Sequence, residues 1–323
     1  MKNVRGPAAA LPSYVQVVDA PGGLLRRLWL YGLLRLTSKG TSFIDADIEG
    51  MRVRQRKWDI RFARTDPTVR RTPLAGAGFA GEWIDCPGAR PERVILYLHG
   101  GAFMFRWPGV YTSMLARWCR RLHARALMVD YRLAPEYPFP AATNDCHAAY
   151  TWLLEQRCDP RNIVLGGDSA GGNLALVTLQ RIRGANQPMP ACTVLLSAGV
   201  DFTLSSPSMV LNEGSDPMFD LTELVMMRGF YAQPERYADP WVSPLFGDFT
   251  GFPPLLFQVG SREVLLDEST RAAARASAAG VEVQVEVWKH MGHVFQAMPL
   301  PQAAVALEGI RRFVVHHTDW GSQ

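Results

Sequence analysis

No run of apolar residues in this chain is long enough to cross a bilayer. The most hydrophobic stretch, residues 23–36, is short and is broken by Arg26, Arg27 and Arg35, so stable membrane insertion is excluded. Lying on a membrane, or packing over a site, remains open to it. The first eleven residues are rich in Pro and Ala and carry no apolar signal core, so no secretory leader is expected. Cysteine is sparse: Cys86, Cys119, Cys146, Cys158 and Cys192 are widely spaced, odd in number and free of any C-x-x-C pair. That usage argues for reduced thiols and a cytoplasmic setting, and against a disulfide scaffold. No H-E-x-x-H and no Cys/His cluster occurs, so no metal is expected. One G-x-G-x-x-G match exists, at Gly76, Gly78 and Gly81. It follows a polar, proline-containing stretch and precedes a strand rather than a helix, which excludes a dinucleotide cofactor. No cofactor of any kind is expected. The net charge of +4 is too small to indicate nucleic-acid binding. Internal repeats and low-complexity tracts are absent as well.

What is present suits a large globular core: 323 residues, 48% hydrophobic and 20% charged. The charge is uneven, residues 1–71 holding 14 Lys/Arg against 6 Asp/Glu. Arg54, Arg56, Lys57, Arg61 and Arg64 fall within the most basic part, from Arg52 to Arg71, which reads as a solvated face. Residues 1–70 read as helical and irregular, with helices at 24–36 and 44–50 and no clean strand alternation. From about residue 93 strands and helices alternate. Strands are expected at 78–85, 93–98, 126–131, 163–165, 192–196, 254–259 and 281–287, and helices at 109–123, 139–154, 173–182, 265–279 and 302–315. This pattern calls for an α/β fold with a mostly parallel central sheet and helices on both faces. Between residues 201 and 251 the alternation breaks, apart from a helix at 221–230. The expected organisation is a catalytic domain over 71–323, capped by residues 1–70 and by the insertion at 201–251.

The segment around Gly167, Ser169 and Gly171 joins an apolar strand to a helix and has the form of a nucleophile elbow. An abrupt strand-to-helix turn strains the serine, and side chains two residues to either side would collide. The turn lifts the Ser169 hydroxyl to a helix N-terminus, where developing negative charge is favoured. A second small-residue loop, His99 to Phe103, follows the strand at 93–98. Gly100, Gly101 and Ala102 let backbone N–H groups approach a ligand atom, and His99 reads as a structural hydrogen-bonding residue. After the alternating strand, His293 is the candidate base, with Gly292 and the apolar Val294 and Phe295 favouring it over His290. His316 and His317 read as surface residues. The acid is Glu263, in the loop after the strand at 254–259, or Asp267 one helical turn later. Position favours Glu263; the shorter carboxylate favours Asp267.

The order Ser169, acid, His293 matches the chain order of α/β-hydrolases. With His99 to Phe103, Asp130 to Glu136, Phe139 to Ala142 and Gly167 to Gly171, the sequence resembles the bacterial hormone-sensitive-lipase-like esterases, α/β-hydrolases with a helical cap. The resemblance covers residue 93 onward. It implies Ser169 as nucleophile, His293 as base, Glu263 as acid where many relatives have Asp, and an oxyanion hole from Gly100, Gly101, Ala102 and Ala170. Ala102 departs from the family's third glycine. The implied activity is a carboxylesterase working through an acyl-enzyme on short- to medium-chain esters. Amide or lactone hydrolysis by the same groups is the alternative. A non-catalytic receptor of this fold is a further one; plant gibberellin receptors have lost the histidine, which is present here. Apolar cap residues expected at the substrate pocket are Trp29, Phe103, Trp107, Met227 and Phe230, with Leu30, Phe105 and Met226 beside them. The expected partner is a small-molecule ester; the oligomeric state stays open, a homodimer included.

Overall fold

A computed structural model of the chain describes residues 11–37, 39, 47–63, 66–74 and 77–321. Arg64, Gly76 and the start of the helix expected at 44–50 lie outside these. The chain runs β1 (Val15–Val18), α1 (Leu24–Thr37), α2 (Ile48–Phe62), β2 (Arg70–Pro73), β3 (Gly81–Asp85), β4 (Val94–Leu98), α3 (Pro108–Leu122), β5 (Arg125–Val129), α4 (Ala141–Glu155), β6 (Ile163–Asp168), α5 (Ala170–Gly184) and β7 (Cys192–Leu196). It continues through α6 (Ser208–Leu211), α7 (Leu221–Tyr231), β8 (Leu255–Gly260), α8 (Leu266–Ala278), β9 (Val283–Trp288) and α9 (Pro301–His317). One nine-stranded sheet results, in the order β1-β9-β8-β7-β6-β4-β5-β3-β2. β4 to β9 run parallel where they pair, and β3 and β2 are added antiparallel at one edge.

The unbroken apolar run of β4, and the nearly apolar ones of β7 and β8 interrupted by Thr193 and Gln258, follow from burial on both faces. In β4 the pleat divides them: Val94, Leu96 and Leu98 enter one apolar cluster with residues of α4, α5 and α8. Ile95 and Tyr97 enter the other, with residues of α3 and α9. Helices therefore cover both faces, and every connection into a parallel strand leaves from a C-terminal strand end. The loops after β4, β6, β8 and β9 consequently gather along one rim of the sheet, the usual place for a ligand site in an α/β sheet.

Three sequence expectations change. Val15–Val18 is a strand: it pairs in parallel with β9, Val15 opposite Val285, so residues before 70 join the sheet edge as well as supplying helices. Alternation could not reveal it, because an edge strand of four residues buries too little to be patterned. The basic stretch is not merely solvated. Arg52 of α2 donates to the Met104 and Ala134 carbonyls at 3.0 and 2.8 Å and pairs with Glu136 at 2.7 Å. Asp59, buried, accepts the N–H groups of Gly109 and Val110, capping α3. In β9, Val283, Val285 and Val287 alternate with Gln284 and Glu286, a pattern that reads as polar residues outside, yet Glu286 is buried, accepting from Gln258 at 2.9 Å and Trp288 at 3.2 Å. Among the described residues no helix is long and apolar enough to cross a membrane. All five cysteines are free.

Candidate active site

Ser169 sits between β6 and α5 with φ 52° and ψ −120°, a conformation forbidden to most non-glycine residues. The flanking glycines have a steric reason. A Cβ on Gly167 would come 2.3 Å from the Gly171 carbonyl oxygen, and one on Gly171 would come 1.9 Å from that of Leu98. The turn is held by the Ser169 N–H donating to Leu196 O at 2.9 Å. Ala170 opens α5, so its N–H is an orphan of the helix terminus.

His293, buried in the loop after β9, directs Nδ1 to Glu263 Oε2 at 3.0 Å. Glu263 is fully buried, and its other oxygen accepts from Ser197 Oγ at 2.8 Å and the Gly260 N–H at 2.5 Å. Ser197 Oγ also accepts the Val294 N–H at 3.1 Å, so one hydroxyl ties the acid to the histidine loop. Burial pushes the His293 pKa down, but the hydrogen bond and charge of Glu263, with the charges of Asp216 and Asp168, outweigh it and hold it above the ordinary value of 6.5. Asp267 does something else: it accepts the Ser208 N–H at 2.8 Å at the start of α6. His290 is exposed, and His99 is buried, stacked on Tyr131 at 4.2 Å. Burial holds His99 down at about 3, so it stays neutral.

The loop after β4 bends sharply, with Gly101, Ala102 and Phe103 at φ 120°, 53° and 61°. Among the described residues no acceptor meets the N–H groups of Gly101 or Ala102. Gly100 is different. Its N–H donates to Asp168 Oδ1 at 3.0 Å and to the Tyr111 hydroxyl at 2.9 Å, which withdraws it from the expected oxyanion donors. Asp168 also accepts from Tyr97 and Tyr111 at 2.9 and 2.7 Å, and a Cβ on Gly100 would press within 2.3 Å of it. This buried carboxylate, next to the serine in sequence, joins the elbow to the glycine loop. Burial raises its pKa, while the two tyrosines and the Gly100 N–H oppose the rise.

An apolar cavity of about 80 Å³ opens at Ser169, lined by Ala102, Phe103, Ala170, Phe202, Phe219 and Met227 among others. Phe219, one of these lining residues, packs edge-on against the His293 ring, with centroids 4.8 Å apart, so the histidine stands directly behind that wall of the cavity.

Comparison with known proteins agrees with this geometry. A family model described as the α/β-hydrolase fold matches residues 95–297. An esterase of Acinetobacter venetianus is 36% identical over 251 residues, 77% of this chain and 82% of its own. An acetyl-hydrolase of Streptomyces hygroscopicus is 38% identical over 229 residues, 70% of this chain and 76% of its own. The crystal structure of an esterase from the bacterial hormone-sensitive lipase family is 34% identical, covers 92% of this chain and 99% of its own, and superposes with a TM-score of 0.85. The chain belongs to that family of α/β-hydrolases.

In this hydrolase the expected pocket residues are dispersed. Phe103 and Met227 line the cavity. Trp29 is 65% exposed on α1, Trp107 packs against the α3–α9 layer, and Phe230 packs into the opposite layer; none of the three lines the cavity. Phe202, Leu204, Phe219 and Leu224 take their place. Their apolar character was visible in the 201–251 insertion, but not which of them point inward. Glu282, His316 and His317 bring ligand-type atoms within 4.8 Å of one another, beside the N-terminal end of β9 and thus away from the His293 rim.

Proposed function

We propose that this hydrolase is a carboxylesterase acting through an acyl-enzyme, with Ser169 as nucleophile, His293 as base and Glu263 as the acid orienting it. The observation carrying the proposal is a strained serine at a helix N-terminus, opening on a cavity whose Phe219 wall packs against a buried histidine with Nδ1 3.0 Å from a buried carboxylate. The carboxylate can only accept, so it keeps the proton on Nδ1 and leaves Nε2 free to take one from the serine hydroxyl. As His293 Nε2 takes that proton, Ser169 Oγ bonds to the ester carbonyl carbon, and the carbonyl electron pair moves to oxygen. The N–H groups of Gly101, Ala102 and Ala170 are the donors assigned to that oxyanion. Collapse returns the pair and breaks the bond to the alkoxy oxygen, which leaves as alcohol with the proton from His293. Water repeats the cycle on the acyl-enzyme and restores Ser169.

The lining of the cavity carries little polar surface beyond Asp201, Arg228 and Glu268, and its small volume suits an uncharged acyl chain of short to medium length. The helices before residue 70 and the 201–251 insertion are assigned as the cap over it. Incubation with a serine-directed fluorophosphonate, followed by peptide mass spectrometry, tests the nucleophile: one adduct, on Ser169, is expected. Hydrolysis of p-nitrophenyl butyrate at a rate exceeding that of the matched anilide is expected alongside. An adduct elsewhere, or none with no turnover of either compound, refutes the proposal; a faster anilide reassigns the enzyme as an amidase.

A further inference from the structure

We propose that α1 is an interfacial helix that seats this protein on anionic lipid bilayers. Of sixteen large apolar side chains exposed among the described residues, ten precede residue 61. Scattered exposed apolar residues are ordinary, but here five share one helix. Leu24, Leu25, Leu28, Trp29 and Leu36 of α1 are each 55–87% exposed, and their spacing places them along one side. The opposite side is fixed to the body. Leu30 and Tyr31 are buried with Trp288, Met291 and Phe295. The Tyr31 hydroxyl accepts the Gly292 N–H at 2.7 Å and donates to the His290 carbonyl at 3.3 Å. The apolar side is thus a preformed ledge beside the His293 loop, and presenting it costs no folding on contact.

Charge identifies the occupant. α1 contains three arginines and no acid. Arg26 and Arg35 bind the backbone carbonyls of Pro299 and Gly214, at 3.1 and 2.5 Å, so their charges meet no carboxylate there. In α2, Glu49 is paired with Arg56 at 3.0 Å and Asp59 is buried against α3, while Arg54, Lys57 and Arg61 stay exposed with Trp58 and Ile60. Within α1 itself, an exposed apolar stripe with Trp and Leu on a helix that carries arginines and no acid is the composition of a helix lying in the headgroup region of an anionic membrane. A second copy of the chain is the poorer occupant, since a two-fold contact through α1 sets its arginines against their own copies.

The full chain is mixed with sedimentable vesicles of phosphatidylcholine alone, or with about 30% phosphatidylglycerol, and the bound fraction is measured. Binding to the anionic vesicles is expected, weakened about tenfold or more on neutral vesicles and in about 0.5 M NaCl. Leu25→Glu/Leu28→Glu is expected to lose about tenfold or more as well. An unchanged circular-dichroism spectrum and Tm of that variant report its fold. If it does not fold, Leu25→Ser, at an 83% exposed position, carries the same comparison. No partition onto anionic vesicles, or partition indifferent to these substitutions, overturns the proposal. So does a lipid-free wild type that sediments as a dimer and becomes monomeric in the variant, because the stripe is then covered by a second copy. The sedimentation readout is independent of catalysis, so it stands or falls apart from the esterase assignment.

Discussion

Replacing Glu263 by Gln removes one charge and almost no volume, and the surrounding hydrogen bonds dictate the outcome. Oε1 of Glu263 receives two donors, Ser197 Oγ at 2.8 Å and the Gly260 N–H at 2.5 Å. A glutamine must therefore present its carbonyl oxygen to them, which turns its NH2 group toward His293 Nδ1. The ring nitrogen then has to accept, the imidazole proton moves to Nε2, and Nε2 cannot take a proton from Ser169. The expected loss in kcat is about 10³ to 10⁴-fold, equal to about 4–5.5 kcal/mol at 1.36 kcal/mol per tenfold. At alkaline pH, where His293 is neutral in both enzymes, stability should change little, since every donor except the ring N–H keeps its acceptor. Asp267→Ala is the control: it removes the acceptor of the Ser208 N–H, so about 0.5–2 kcal/mol of stability is lost with kcat within about twofold. The assay is steady-state hydrolysis of p-nitrophenyl butyrate together with urea unfolding of both variants. A Glu263→Gln enzyme retaining more than about a tenth of wild-type kcat, or an Asp267→Ala enzyme losing about 10³-fold while folded, refutes the reasoning.

Because His293 is held above 6.5 and acts as a neutral base, kcat/KM should fall on acidification with a midpoint above that value, as a pH–rate profile will report. The same raised value gives a stability contribution that is complete below pH 6.5 and is lost as pH rises through the folded-state pKa, visible as a fall in Tm across that window. Met227→Ala enlarges the cavity from a half-buried position and should raise the octanoate-to-butyrate ratio of kcat/KM about tenfold; an unchanged ratio would show that the acyl chain lies elsewhere. Asp168→Asn keeps the shape but gives Tyr111 a donor where it needs an acceptor. It should cost about 1–3 kcal/mol in urea unfolding and lower kcat about tenfold through a loosened Gly100 loop; full kcat with reduced stability would make Asp168 purely structural.

Much of the sheet was legible because a strand buried on both faces must be almost wholly apolar, as β4 and β7 are. The elbow was legible for a related reason: Gly167 and Gly171 stand where any Cβ would strike backbone within 2.3 Å. Short-range constraints of this kind are written into the residues themselves. β1 was hidden because four edge residues bury too little to leave a pattern, and Glu286 because its polar partners, Gln258 and Trp288, come from its own strand and the next.

The sequence by itself determined the α/β layering, the strained turn at Ser169 and the presence of a histidine and two acids in late loops, since each depends on residues close together in the chain. Tertiary structure alone decided which of them meet. Glu263 reaches His293 and Asp267 turns to α6, although both acids lie within one stretch of five residues. Gly100 gives its N–H to Asp168, 68 positions away, and Phe202 and Phe219 come to the cavity where Trp29 had been expected. Direction is the physical reason: a residue's type limits what it can donate, accept or bury, but only the packed sheet sets where its side chain points.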